Sequence, residues 1–581
     1  MIFNRRKNMP RNQNKLDPFV FFCVLLLLPF LLYGQMQKTQ DLFVPEDPAN
    51  QPMGNALGIY PGRVVWVWDS SATSWDGKTG YWWEDRFNSQ EKIEAMLSQG
   101  LQHLTGERTD RQAWEALFKY FNLMHGKGNG GYRAGEKIAI KLNLNLIGNT
   151  NPPRNRSFPS PHVVLALTRQ LVYQAGVSPE DITFYDTNRY VPDPIYNQCK
   201  KEFPGVHFMG FYATNGREKY VRDTTTIHWS EPLTLEIGGG HPAYLPTVVT
   251  QASYLINLAN FKGHRYVGVT FCAKNHLGSF SADGDNGLPS TNAPKAAGLH
   301  PYIAVHDIII PGSVEWSFFG RPFGTYNALV DLMGHKDLGG KTLLFLIDAL
   351  YGVQSEQDDV SLKSQWVSSP FNHDWTSSLF LSQDGVAIES VGLDFYRTEQ
   401  SQNPNIVCVY GAVDNYLHEA ALAHAPPSGT VYDPEKDGIP LQSLGVHEHW
   451  NNENEKSYSR NLGTGDGIEL VWVKPSETGV LEKEGQKYGD VLHNYPNPFN
   501  QGTTLVYSVP EPARVSLSIF DCKGRKIRTW IQEVALPGVY SIFWNGLDEK
   551  EIEVSSGIYI VRMEHAGSFH GIYNRKIIFE K

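Results

Sequence analysis

Between residues 260 and 280 the chain reads NFKGHRYVGVTFCAKNHLGSF, which places Lys262, His264, Arg265, Lys274, Asn275 and His276 in one short stretch of a protein whose net charge is −10. Lysines offer point charges to a carboxylate or phosphate, and an asparagine amide donates to the same groups. Histidine exchanges protons near neutral pH without a large shift, and a neighbouring lysine keeps it neutral and ready as a base. Gly263, Gly268 and Gly278 let the backbone come close to a ligand. The stretch therefore reads as a loop around a small anion, with His264 and Lys274 as candidate catalytic residues and Lys262 and Asn275 as candidate ligand contacts. The competing reading is a structural loop whose lysines pair with nearby aspartates.

The elements around it decide where such a loop would sit. EKIAIKLNLN, DITFYDTNR, ASYLINLANFKGH and KTLLFLIDALYG read as buried strands, and SQEKIEAMLSQGLQHLTG, DRQAWEALFKYFNLMHG, SPHVVLALTRQLVYQAGV and GTYNALVDLMGHKDL have helical spacing. Alternating strands and helices predict an α/β domain with a mostly parallel sheet flanked by helices. Ligands in such sheets bind beyond the carboxyl ends of the strands. The polar residues there are Lys141, Asn143 and Asn145, then Asp186, Asn188 and Arg189, then Asp348. They join the candidate ligand-binding set, although Asn and Asp at strand ends also serve as turn formers and helix caps.

Other constellations are sparser. GVHEHW puts His447 and His449 on one face of a strand, a pair able to ligate a metal but with no third ligand evident in sequence. His300 and His306 flank PYIAV and could reach the candidate site, although nothing in the sequence fixes them there. YDPEKDG, at 432–438, begins like a calcium loop but lacks the closing Glu and reads as a turn. IGGGH at 237–241 is a glycine run, and SADGDNG at 281–287 reads as a flexible loop near the site.

At 581 residues the chain exceeds one ordinary core, and 41% hydrophobic with 19% charged residues is a globular composition. The acidic balance argues against nucleic acid as a partner. Residues 1–35 combine a basic start with the apolar run FVFFCVLLLLPFLLYG, too short for a comfortable membrane span, and read as a signal peptide. No permanent membrane span is expected after its cleavage. Residues 36–62 form a leader segment, 63–471 the α/β domain and 472–491 a charged linker. Residues 492–581 alternate apolar and polar positions between frequent turns, which predicts a small all-β Ig-like sandwich. The five cysteines have no C-x-x-C spacing, so no iron–sulfur cluster is expected.

Two stretches carry family resemblances. The segments NYPNPFN, VSLSIFDCKGRKI, GVYSIFWNGLD, SSGIYIVRM and NRKIIFEK make the C-terminal module resemble the type IX secretion sorting domain, which is itself similar to flagellar hook-capping proteins. That resemblance implies the type IX secretion machinery as a partner and a secreted or cell-surface location. IAIKLNLN, PHVVLALTRQLVYQAG, ASYLINLANFKGHRYVGVTFCAKNHLG, FLIDALYG and LSQDGVAIESVGLDFY resemble domain-of-unknown-function family 362 over about 136–400. Lys262, His264, Lys274, Asn275 and Gly278 match that family's Lys-His and Lys-Asn-x-x-Gly pattern; no agreed activity comes with it. The spacing of His264 and Lys274 is also distantly similar to lactate-racemase-type enzymes, which implies a nickel-pincer nucleotide as cofactor; separately, Asp186 and Asp348 offer carboxylates that could orient the histidine, pair with the lysines or bind a divalent metal. The chain departs from those enzymes at Asn188, where they place a histidine, and at KLNLN, where they place an acidic-Arg signature. The readings left open are an exported enzyme acting by acid/base or racemase/oxidoreductase-like chemistry on a small carboxylate or phosphorylated substrate, a surface protein that holds an anion without turnover, and a structural envelope protein.

Overall fold

The computed structural model describes residues 47–474, apart from 146, 153, 234–242, 265–266, 281–298, 301, 304–307, 310–316, 319–322 and 407–411, and residues 492–580, apart from 496–498, 501, 510–512, 536–537 and 567–569. The expected signal peptide, the early leader, nearly all of the linker, Arg265, His306, Cys23, Cys408 and the glycine-bearing loops at 237–241 and 281–287 lie outside the described residues. The chain divides into two compact units, Met1–Glu477 and Thr478–Lys581.

The first unit is built on one ten-stranded sheet. In chain order its strands are β1 (Arg63–Trp68), β2 (Ile138–Leu142), β3 (Ile182–Tyr185), β4 (His207–Gly210), β5 (Glu218–Lys219), β6 (Tyr254–His264), β7 (Gly268–Thr270), β8 (Thr342–Val353), β9 (Ser378–Ser382) and β10 (Glu469–Val473). The spatial order is β10-β1-β9-β8-β6-β2-β3-β4-β5, with β7 paired to β6 alone. All neighbours are parallel except β9, which runs against both β8 and β1, and β7, which folds back on β6. The sheet is thus mixed but mostly parallel. Period-2 alternation sorts its side chains into two cores. Val64, Trp66, Ala139, Leu255, Ala259 and Phe261 face one, and Val65, Val67, Ile140, Ile256 and Leu258 face the other. Burial on both faces explains why these strands read as nearly continuous apolar runs.

The helices begin and end where the sequence supplies caps. Ser89 accepts from the Lys92 amide at the start of α1 (Gln90–Thr105), and Gly106, at φ +72°, closes it. Thr109 caps α2 (Asp110–Met124), and Ser160 with Pro161 opens α3 (Pro161–Arg169). Helix α4 (Asp193–Glu202) and strands β4 and β5 were not anticipated from sequence. Three later helices matter for the site: α5 (Cys272–Asn275), α6 (Ala328–Gly334) and α7 (Gly385–Gln402), the last capped by Asp384, which accepts from Val386 and Ala387 amides.

Two boundaries differ from expectation. Trp472 and Val473, assigned to the linker, complete β10 against β1. Met53 and Gly54, assigned to the leader, pair with His447 and Val446. Among the described residues no helix is long and apolar enough to cross a membrane, and the described cysteines Cys199, Cys272 and Cys522 are free.

The C-terminal unit is all-β. A three-stranded antiparallel sheet (Leu492–Tyr495, Thr503–Val509, Gly538–Trp544) and a four-stranded one (Ala513–Asp521, Lys526–Ala535, Gly557–Ala566, His570–Phe579) share a core that includes Leu505, Leu517, Trp544, Val561 and Ile577. Phe499 of the NYPNPFN motif is buried there and stacks on Phe579 at 5.0 Å.

Candidate functional site

The 260–280 stretch is a hairpin and a helical turn rather than a single loop. Strand β6 carries Lys262 and His264, and β7 pairs Thr270 with Lys262 and Gly268 with His264. Gly268 adopts φ +84°, a conformation that favours glycine at this return. Opposite, the register between β8 and β6 slips between Asp348 and Val353, so Val353 faces Lys262. This irregularity in β8 precedes the segment that delivers Glu356.

Lys262, His264 and Lys274 are all buried, with 1%, 4% and 8% exposure. Burial pushes both lysine amines down to about 7. The Glu356 carboxylate opposes that shift at both, while each lysine also feels another cation, Lys274 acting on Lys262 and Arg189 on Lys274. Glu356 Oε2 lies 3.9 Å from His264 Nδ1. The His264 ring stacks on His300 with centroids 5.4 Å apart, and His300 Nε2 is 3.4 Å from Lys274 Nζ. Asn145 donates to the Glu356 carbonyl at 3.2 Å. Among the described residues, Lys262 Nζ has no hydrogen-bond or ion-pair partner. The structure thus gathers two buried amines, two imidazoles and one carboxylate at the carboxyl end of the central strand. Such a group can grip an anion, and the imidazoles can move a proton beside it.

Lys141, Asp186, Asn188, Arg189 and Asn275 form a second network. Lys141 Nζ donates to Asp186 Oδ2 at 2.9 Å and to Asn275 Oδ1 at 3.1 Å. Asn275 in turn donates to Asn257 Oδ1 at 2.8 Å, and Asn257 donates to His276 Nε2 at 3.1 Å. Burial holds His276 down to about 3, which suits a neutral acceptor. Asn188 donates to the Leu277 carbonyl at 2.8 Å, and Arg189 to the Asn188 carbonyl at 2.9 Å. A Cβ on Gly278 would stand 2.6 Å from both Asp186 Oδ2 and Lys141 Nζ, so only glycine lets this backbone cover the pair. Asp348, pushed up to about 6 by burial, accepts from the backbone amides of Ser160 and Leu350, which ties β8 to the start of α3. Asn143 is buried just past β2.

His447 and His449 lie apart from the lysines in the fold's contacts. Ser390 and Asp394 of α7 hold their Nδ1 atoms, each at 2.8 Å. Sequence reasoning missed Glu356, which sits in the polar segment QSEQDD with no periodic signal, and missed Asp47, Asp414 and His418, which join the histidine pair only through the fold. The YDPEKDG segment is a turn, as read: Asp433 accepts from the amides of Asp437 and Gly438.

The family model of the domain of unknown function (DUF362) matches residues 138–394, which run from β2 into α7 and include Lys141, Lys262 and Lys274. No curated protein matches the chain. Among solved structures, dimeric latent PorU from Porphyromonas gingivalis is 17% identical over 15% of this chain and 9% of that one, with a TM-score of 0.14. PorZ, an essential surface component of the type-IX secretion system of the same organism, is 21% identical over 16% of this chain and 12% of that one, at 0.13. FlgD from P. aeruginosa is 17% identical over 13% of this chain and 58% of that one, at 0.12. The chain therefore spans about a tenth of the PorU and PorZ chains.

Proposed function

We propose that the first unit binds a small carboxylate or phosphorylated molecule at Lys262 and Lys274 and performs proton transfer on it through His264. The observation that carries this reading is the pair of buried amines at the carboxyl end of β6, one of them without a partner among the described residues. An unpaired buried amine is costly, and a bound anion supplies the missing counter-charge. Lys262 and Lys274 take up protons as the anion enters, because a negative charge at close range restores the affinity that burial removed. His264, between His300 and Glu356, is placed to exchange a proton beside the held carboxylate. Asn275 and Lys141 brace the loop from below rather than reaching the ligand.

The test is isothermal calorimetry with lactate, malate, glycerol phosphate and inorganic phosphate at pH 7, in two buffers of different ionisation enthalpy. Binding with uptake of up to about one proton per anion is expected, together with loss of binding in Lys262→Met and Lys274→Met. Deuterium exchange at the carbon next to the carboxylate, abolished in His264→Ala with binding retained, separates turnover from simple capture. Failure of every anion to bind, or binding indifferent to both lysines, rejects the proposal.

We further propose that residues 1–35 direct export and that residues 492–581 act as a sorting module for the type IX machinery. The NYPNPFN entry, the spacing of the later strands and the basic NRKIIFEK end support it. Removal of 492–581 is expected to trap the protein in the periplasm of a type IX-competent host, as fractionation would show; unchanged release to the surface or medium would contradict it.

A further inference from the structure

We propose that Asp47, Asp414, His418, His447 and His449 bind one divalent transition-metal ion, at a centre separate from the lysine site. Two sets of side chains, Asp47 with His447 and His449, and Asp414 with His418 and His447, each bring their ligand atoms within 4.8 Å of one another, and they share His447. Each set is two imidazoles and one carboxylate, a donor combination used for zinc and other first-row divalent ions.

The polar atoms at this point are left over by the protein itself. His447 Nε2 and Asp414 Oδ1 are buried without a hydrogen-bond partner, and His418 Nε2 and Asp47 Oδ2 find only each other. His447 and Asp414 are fully buried, and His418 is 7% exposed. His418 Nε2 stands 2.7 Å from Asp47 Oδ2, and His449 Nε2 stands 3.2 Å from Asp414 Oδ2. His447 Nε2 and Asp414 Oδ1 are left as orphaned buried polar atoms, each costing about 1–3 kcal/mol. A cation shared with the His418–Asp47 pair satisfies both.

The surroundings are those of a ligated site. Ser390 Oγ lies on His447 Nδ1 and Asp394 Oδ1 on His449 Nδ1, both at 2.8 Å, which fixes each ring and turns Nε2 toward the common point. Asp394 is itself held by the Trp450 amide at 2.9 Å and the Tyr458 hydroxyl at 3.0 Å. A cleft of about 380 Å³, lined in part by Asp47, His449, Arg397 and Asn451, reaches the group from outside. The donors are nitrogen and carboxylate oxygen with no thiolate, which favours zinc, cobalt, nickel, manganese or ferrous iron over calcium or cuprous copper.

The experiment uses tag-free full-length protein, stripped with a chelator and reloaded separately with Zn²⁺, Co²⁺, Ni²⁺ and Mn²⁺. Elemental analysis after desalting is expected to give about one ion per chain for at least one of them. His447→Gln and Asp414→Asn are expected to lose it with the far-UV spectrum unchanged, and Ser390→Ala to weaken it about tenfold. Cobalt-loaded wild-type protein is expected to show visible d–d absorption without sulfur charge-transfer bands, a readout that needs no variant to fold. Substoichiometric metal for all four ions, no cobalt absorption, or full retention of metal by His447→Gln would each overturn the site.

Discussion

Lys141 and Lys262 occupy the ends of neighbouring parallel strands, and both are almost completely buried. Their surroundings differ in one respect. Lys141 has a carboxylate at 2.9 Å, an amide oxygen at 3.1 Å and a glycine backbone closed over it. Lys262 meets charge only at longer range, from Glu356 in one sense and from Lys274 and Lys141 in the other. A buried cation with matched acceptors is part of the framework, since removing it would strand its partner. A buried cation without them weakens the framework, and its presence is explained by something that binds. The two lysines show that burial alone does not distinguish architecture from receptor; the count of local acceptors does.

The comparison breaks first if Lys141→Met is mild. That change leaves Asp186 buried and uncompensated, and urea unfolding is expected to lose about 3–5 kcal/mol. A loss under about 1 kcal/mol would mean the pair is solvated or rearranges. Lys262→Met is expected to do the reverse and stabilise the protein by about 1–3 kcal/mol at pH 7, because a methionine fills the space without a desolvated amine. Destabilisation there would reveal a native partner and remove the contrast. The finest distinction lies in pH. Lys262 and Lys274 have folded-state values near 7 against 10.5 for the free side chain, so between those limits the unfolded chain binds more protons than the folded one. Stability contributed by these groups therefore rises with pH across that window, by about 1.4 kcal/mol per pH unit for each lysine. Urea titrations at pH 7, 8 and 9 are expected to show a shallower rise in Lys262→Met than in the native protein, and equal slopes would contradict the shifted amine.

The α/β architecture was legible because strands buried on both faces leave long apolar runs and because the helices carry Ser, Thr, Asp and Gly at their ends. Strand β5 is two residues long and largely polar, and β10, ELVWV, abuts a charged segment; neither has enough pattern to stand out. In the site, Lys262, His264 and Lys274 were visible because thirteen residues hold all three. Glu356 was not, since an irregular segment after β8 delivers it. The histidine and aspartate group was legible only as H-x-H. Its other members come from residue 47 and from the turn of α8 (Asn415–Ala421) and the residue before it, and no spacing rule links such distant positions. Helix α7 serves both places: Glu389 accepts from the Ala273 amide beside Lys274, while Ser390 and Asp394 hold His447 and His449.

Strand β1 lies between β9 and β10, paired with residues more than three hundred positions downstream on either side. Until Val473 has been delivered, Val64 to Val67 have one open flank, and closing so long a loop is entropically slow. The unit consequently completes itself last at its own beginning. A chain cut short anywhere before Glu469 would leave a naked apolar edge, the kind of surface that recruits chaperones or seeds aggregation.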